Sequence, residues 1–195
     1  MARLLIVASL LAGVSPAALA RAPRPATRAH STAPMQTYSD NEVVDQASKF
    51  FSTGAKNLSQ VVGKVLKEKG RPVAIIRGEE AGGAIGIGLR YGHGELLFKG
   101  APVREIYWQG PSIGFDFGAN AVKTFILVYG LPNAAALYQR FPGVDGSLYF
   151  VGGFGVNYLQ RGSITLAPVR FGIGWRQGIA LNYLHFSPTK RIDPF

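Results

Sequence analysis

Gly110-Pro111-Ser112-Ile113-Gly114 matches the spacing of a nucleophile elbow, glycine-x-serine-x-glycine. With Asp116 or Asp145 as acid and His185 as base, the chain order would be serine, acid, histidine. An elbow needs a strand before the serine and a helix after it, so that helix amides face the developing oxyanion. Here Ile113-Gly-Phe-Asp-Phe-Gly follows, which is glycine-broken β sequence, and His185 sits in the strand-like Tyr183-Leu-His-Phe. Ser112 therefore reads as a serine in a turn between two strands, with Pro111 restricting the backbone before it. A hydrolase using Ser112 is the alternative function.

Other reactive arrangements fall away on spacing. Glu79 and Glu80 are adjacent, so on a strand they point to opposite faces and cannot act as paired carboxylates. They read instead as partners for basic neighbours. His30, His93 and His185 are scattered without metal-ligand spacing, so no metal site is expected. Gly86-Ile-Gly88 is followed by a third glycine only at Gly92 and by no helix, which excludes a dinucleotide loop. No cofactor is expected. The absence of cysteine excludes disulfides, thiolate metal sites and thiol nucleophiles together.

Binding chemistry is better represented than reactive chemistry. The chain carries 21 Lys+Arg against 11 Asp+Glu, a formal charge of +10, which favours an anionic partner. Arg90, Arg170 and Arg176 fall on the small-residue face of their strands, opposite large apolar side chains. With Arg104, Tyr91 and Trp108 they are the candidate ligand-binding residues, since an arginine fork can hold a phosphate bidentately. Lys56, Lys64 and Lys67 lie on the polar side of a second helix and are candidates for contact with a membrane surface. A solvated lysine face on a helix packed against a sheet is the simpler reading of them.

The first 20 residues decide what the anion can be. Arg3, the apolar run Leu4 to Val14 and Ala18-Leu19-Ala20 form a cleavable export signal, too short to remain as a helix of ~20 residues across a bilayer. Processing is expected next to Arg21, and the mature chain is expected to lack a transmembrane segment. Residues 21–37, rich in proline, alanine and arginine, read as a disordered linker. From Tyr38 onwards there remain 17 Lys+Arg and 11 Asp+Glu, a net +6. For an exported protein an anionic lipid or lipopolysaccharide is the expected partner, and nucleic acid is not.

Positioning these residues falls to one domain, 38–195. Ser39-Asp40-Asn41-Glu42 is a capping box, followed by Val43, Val44, Ala47, Phe50 and Phe51 at helical spacing up to Gly54. A second helix begins near Lys56, with Leu58, Val61, Val62, Val65 and Leu66 on one stripe and Gly70 at its stop. Beyond Pro72 the period becomes two. Residues 78–178 hold 21 of the 25 glycines, alternating with large apolar residues in Ile85–Tyr91 and Phe171–Tyr183. Bare backbone on one face suits strongly curved strands. Further strands are expected at Val73–Arg77, Leu96–Lys99, Arg104–Gln109, Val122–Tyr129, Leu148–Leu159 and Ser163–Ala167, with one short helix over residues 132–140. The fold class is mainly β within α+β: a small soluble antiparallel barrel or barrel-like sandwich with two N-terminal helices and one short inserted helix. A transmembrane barrel is disfavoured because Pro188 and Pro194 break the strand that should precede the terminal Phe195.

The segments TYSDNEVVD, GRPVAIIRGEEAGGAIGIGLRYGHGEL, IYWQGPSIGFDFG, LVYGLPNAAALYQRFPGVDGSLYFVGG and LAPVRFGIGWRQG run in order across nearly all of residues 37–195. Together they resemble the envelope integrity protein A family, periplasmic proteins of Gram-negative bacteria formerly classed as a domain of unknown function. The resemblance implies a small soluble β-barrel with packed helices, located in the periplasm and needed for envelope integrity. It implies no enzymatic activity and carries over no catalytic residue. The segments GIGLRYGHGELLFKG and SIGFDFGANAVKTFILVYG bear a fainter similarity to the lipid-binding SYLF domains, which implies binding of acidic phospholipid without transferring a site.

Overall fold

The computed structural model describes residues 35–52, 56–83, 87–113, 121–171 and 183–191. Helix α1 spans Asp40–Phe51 and starts from the expected capping box. The Ser39 amide donates to Glu42 Oε2 at 2.7 Å, and the Glu42 amide donates to Ser39 Oγ at 3.4 Å. Lys99 also donates to Glu42, and these contacts hold that carboxyl down to about 2. The helix ends at Ser52 in the left-handed region (φ 54°), and the expected stop at Gly54 lies outside the described residues. Helix α2, Lys56–Lys69, buries Leu58, Val61, Val62, Val65 and Leu66 and stops at Gly70, whose φ of +78° suits a residue without Cβ.

The strands are β1 Ala74–Gly83, β2 Ile87–Phe98, β3 Arg104–Ile113, β4 Val122–Tyr129, β5 Arg140–Pro142, β6 Tyr149–Val151, β7 Phe154–Val156, β8 Leu159–Arg161, β9 Ile164–Phe171 and β10 Tyr183–Ser187. They form one antiparallel sheet in the order β5-β10-β3-β2-β1-β4-β9-β7-β6, with β8 also paired to β9. The sheet curls until Gly143, just after β5, bridges to Leu159 of β8. The mainly β, barrel-like architecture with two helices is thus as the alternation implied.

Three local expectations are corrected. Leu148–Leu159 is three short strands rather than one, because Gly152 and Gly153 take φ of +56° and +88° and turn β6 back as β7. Residues 132–140 contain only a single 3₁₀ turn, Ala134–Leu137, capped by Asn133, which accepts from the Ala136 amide at 3.0 Å. Arg140 and Phe141 are already in β5, where Phe141 is buried. Ser112 lies inside β3, opposite Gly88, rather than in a turn. The described pairing of β3 with β10 ends at Gln109, two residues before Pro111, so the proline's missing amide removes no described bond to β10.

Two apolar cores result. On the outer side, α1 and α2 cover Ile75, Phe125, Leu127, Ala167 and Val169 with Phe154, Val156 and Tyr158. Inside the curl, Ile76, Leu96, Ile106, Trp108, Ile126 and Leu166 meet Leu137, Phe141, Leu184 and Phe186. Alternation sends one set of side chains to each core. Trp108 fits only because its cross-strand neighbour is Gly92. A Cβ on Gly92 would lie 2.1 Å from the indole. Gly78 and Gly94 similarly face each other across β1 and β2, where either Cβ would fall within 2.2 Å of a carbonyl oxygen of the neighbouring strand.

Gly92→Ala should therefore overpack the interior core and cost about 2–3 kcal/mol. Chemical denaturation checks this, with the midpoint falling while the slope stays constant.

Candidate functional site

The glycine-bearing face of β1 and β2 is the inward one, and it carries charge. Glu80 and Arg170 are 2% and 0% exposed. Arg170 Nε donates to Glu80 Oε2 at 2.8 Å and Nη2 donates to Oε1 at 2.9 Å, a bidentate pair. Trp108 Nε1 donates to the same carboxylate at 2.8 Å, and Arg170 Nη1 donates to Asn157 Oδ1 at 3.0 Å. Arg90 is buried beside them, on the row Gly82–Arg90–Gly110. Burial pushes the Glu80 carboxyl up, but the charges of Arg170 and Arg90 and the hydrogen bonds from Arg170 and Trp108 outweigh it. The carboxyl is held below its usual range. Burial and the Arg170 charge lower the Arg90 guanidinium to about 10, against the opposing pull of Glu80. It stays charged at neutral pH.

Two of the expected arginines thus stand inside the curl together with Trp108. Arg104 is exposed at its rim, in a second cleft of about 370 Å³ with Lys99, Phe98 and Asn133. Arg176 lies outside the described residues. Lys56, Lys64 and Lys67 are exposed on α2 as the helical spacing implied. Lys64 is engaged there: it pairs with Glu68 at 3.4 Å and lies 4.2 Å from the centre of the Tyr149 ring. Ser112 continues a strand, so the strand–turn–helix context of an elbow is not formed there. His185 pairs in register with Gln109, three residues away along β3.

Tyr91 belongs to a different surface. The helices lie on β4, β6, β7 and β9. On the outward face of β2, β3 and β10 the register builds the rows Ala81–Tyr91–Gln109–His185 and Glu79–His93–Tyr107–Ser187. A cleft of about 420 Å³ opens here, lined among others by Tyr91, His93, Tyr107, Gln109, Lys190 and Arg191. Gln109 and Ser187 are buried, while Lys190 and Arg191 are exposed at the mouth. Tyr107 donates to Glu105 Oε2 at 3.4 Å, and Ser187 donates to the Thr189 carbonyl at 2.7 Å. Burial, with the charges of Arg140 and Arg191, pushes the His185 imidazole down, so it is neutral at pH 7. The positive charge at this mouth is that of Lys190 and Arg191.

Sequence reasoning missed Lys190 and Arg191, which follow Pro188 and read as a strand-breaking tail. Their sole sequence signal is adjacency to a strand that carries His185. Among the described residues, no three histidine, aspartate or glutamate side chains converge as metal ligands. No described helix is long and apolar enough to cross a membrane.

The interior pair generates a stability prediction. Glu80→Gln or Arg170→Met alone should cost about 3–5 kcal/mol by leaving a buried partner uncompensated. The double variant should recover part of that loss, read as the coupling in a denaturation cycle. A lowered carboxyl contributes stability above the unfolded value of ~4.3 and loses it as pH falls below that. Wild-type stability should therefore drop through this acid window more steeply than that of Glu80→Gln.

The fold has a counterpart among known proteins. A crystal structure of a beta-barrel-like, uncharacterized protein from Brucella abortus superposes with a TM-score of 0.75 at 42% identity. That similarity covers 82% of this chain and 99% of the other. No curated protein matches the chain. The envelope integrity protein A family matches residues 36–195, the two helices and the whole curled sheet included. The chain belongs to the envelope integrity protein A family, and with it to proteins that maintain the cell envelope.

Proposed function

We propose that this is a non-catalytic periplasmic protein that supports the envelope by holding an anionic lipid or lipopolysaccharide at the outward cleft of β2, β3 and β10. The observation that carries the reading is the pairing of Lys190 and Arg191 with the aromatic walls Tyr91 and Tyr107 in one 420 Å³ cleft. Arg191 can take a phosphate through its planar fork, and Lys190 adds a mobile point charge. The buried Arg170 is already occupied by Glu80, so the head group is assigned to the outer cations instead. The described interior is lined by packed apolar side chains, which favours the outer cleft for an anion. Family membership supports the envelope role, and the residue pattern at 3–20 supports export through a cleaved signal peptide.

Mature protein should bind phosphatidylglycerol vesicles more tightly than phosphatidylcholine vesicles, with the difference shrinking as salt shortens the Debye length. Replacing Lys190 and Arg191 by Gln should remove about 1 kcal/mol each, about 30-fold together. Replacing Lys56 and Lys67 should matter less, because those lysines contribute only diffuse attraction. Equal binding to both vesicles at every salt concentration would overturn the reading. N-terminal sequencing of exported protein should start at or next to Arg21; a start at Met1 would refute processing.

A further inference from the structure

The outward cleft has a composition that narrows its ligand further. Tyr91 and Tyr107 stand on neighbouring strands in adjacent cross-strand rows, a diagonal pair close enough for both rings to touch one ligand. Between and beside them stand the Gln109 amide, the His93 imidazole and the Ser187 hydroxyl. Ala81 keeps the β1 side of the cleft shallow. Lys190 and Arg191 close one end with positive charge.

We propose that the cleft takes a saccharide ring bearing a phosphate or carboxylate, so that the sugar part of the bound amphiphile is recognised rather than its acyl chain. This rests on the reading that the cleft holds an anionic envelope amphiphile. An acyl chain is a poor match. It would lie against the exposed His93 imidazole, Lys190 ammonium and Arg191 guanidinium while offering none of them a hydrogen bond. A pyranose ring offers both kinds of surface. Its C–H face is weakly positive and packs on the negative face of a tyrosine ring, and its equatorial hydroxyls reach the polar groups at the edges. Its anionic substituent then reaches Lys190 and Arg191. The volume suits a small ligand in a preformed cleft, of the order of 300–1,000 Å³. Glu79 and Glu105 on the same face favour a localised anion beside the cations over a ligand charged along its whole length.

The test uses the mature full chain and two probes: the lipid-free anionic oligosaccharide released from lipopolysaccharide by mild acid, and phosphatidylglycerol vesicles. Calorimetry should detect the oligosaccharide, and its dephosphorylated form should bind at least tenfold more weakly if phosphate carries the charge. Tyr91→Ala and Tyr107→Ala should each lower oligosaccharide affinity at least tenfold. Tyr91→Phe and Tyr107→Phe should restore most of it, since the ring face is what stacks; thermal unfolding of each variant reports on folding. Vesicle binding that depends on Lys190 and Arg191, with no oligosaccharide binding, would overturn this inference and leave the head-group reading standing. Oligosaccharide binding without vesicle binding would support the inference and leave lipopolysaccharide, not phospholipid, as the amphiphile. Oligosaccharide binding insensitive to both tyrosine-to-alanine changes would also overturn it.

Discussion

A carboxylate and a guanidinium removed from water inside a curled sheet set the terms for everything around them. Each ion loses several kcal/mol of hydration, which only close geometry and complete hydrogen bonding can offset. Glu80 and Arg170 meet that condition through two parallel N–H···O bonds at 2.8 and 2.9 Å, with Trp108 and Asn157 taking further positions. The four residues come from β1, β9, β3 and the segment after β7. Their contacts span up to 90 residues of sequence, so the pair forms only when β1 and β9 have both paired with β4 in register. A register slip by one residue would send either charge to the opposite face. The polar pair thus acts against misregistered sheets that apolar contacts alone would tolerate.

The glycines follow from that arrangement. Trp108 must lie flat against β2 for its indole nitrogen to reach Glu80, and Gly92 leaves it the space. Gly78 and Gly94 let β1 and β2 approach each other where any Cβ would strike backbone. Bare backbone here is a packing requirement more than a matter of flexibility.

The helices cap one outer face, and packed apolar side chains line the described interior. The helices use the apolar outward residues of β1, β4, β7 and β9. Away from the helices lies the outward face of β2, β3 and β10, where tyrosines, a histidine and an amide replace the aliphatic residues. Cations arrive there from the segment after β10. An envelope protein built this way presents a polar cleft on a rigid wall, with both apolar cores kept away from it.

How much of this was legible in the residues can be judged one element at a time. The capping box at Ser39 and Glu42, the stripe from Leu58 to Leu66 and the stop at Gly70 are local, and local chemistry reads them directly. The change to period two after Pro72 and the mainly β class were likewise readable. The division of Leu148–Leu159 was hidden because a hairpin at Gly152-Gly153 needs two positive φ angles, which glycine permits without requiring. Alternation placed Arg90 and Arg170 on one face with the glycines and separated Glu79 from Glu80. It could not say which face turns inwards, because a period of two is symmetric between inside and outside. Only the curl of the sheet decided that, and the pairing of both β1 and β9 with β4 joined Arg170 to Glu80. The pairing of β10 with β3 and of β3 with β2 placed Lys190 and Arg191 beside Tyr91 and Tyr107, residues about 100 positions apart in sequence that become neighbours through strand pairing alone.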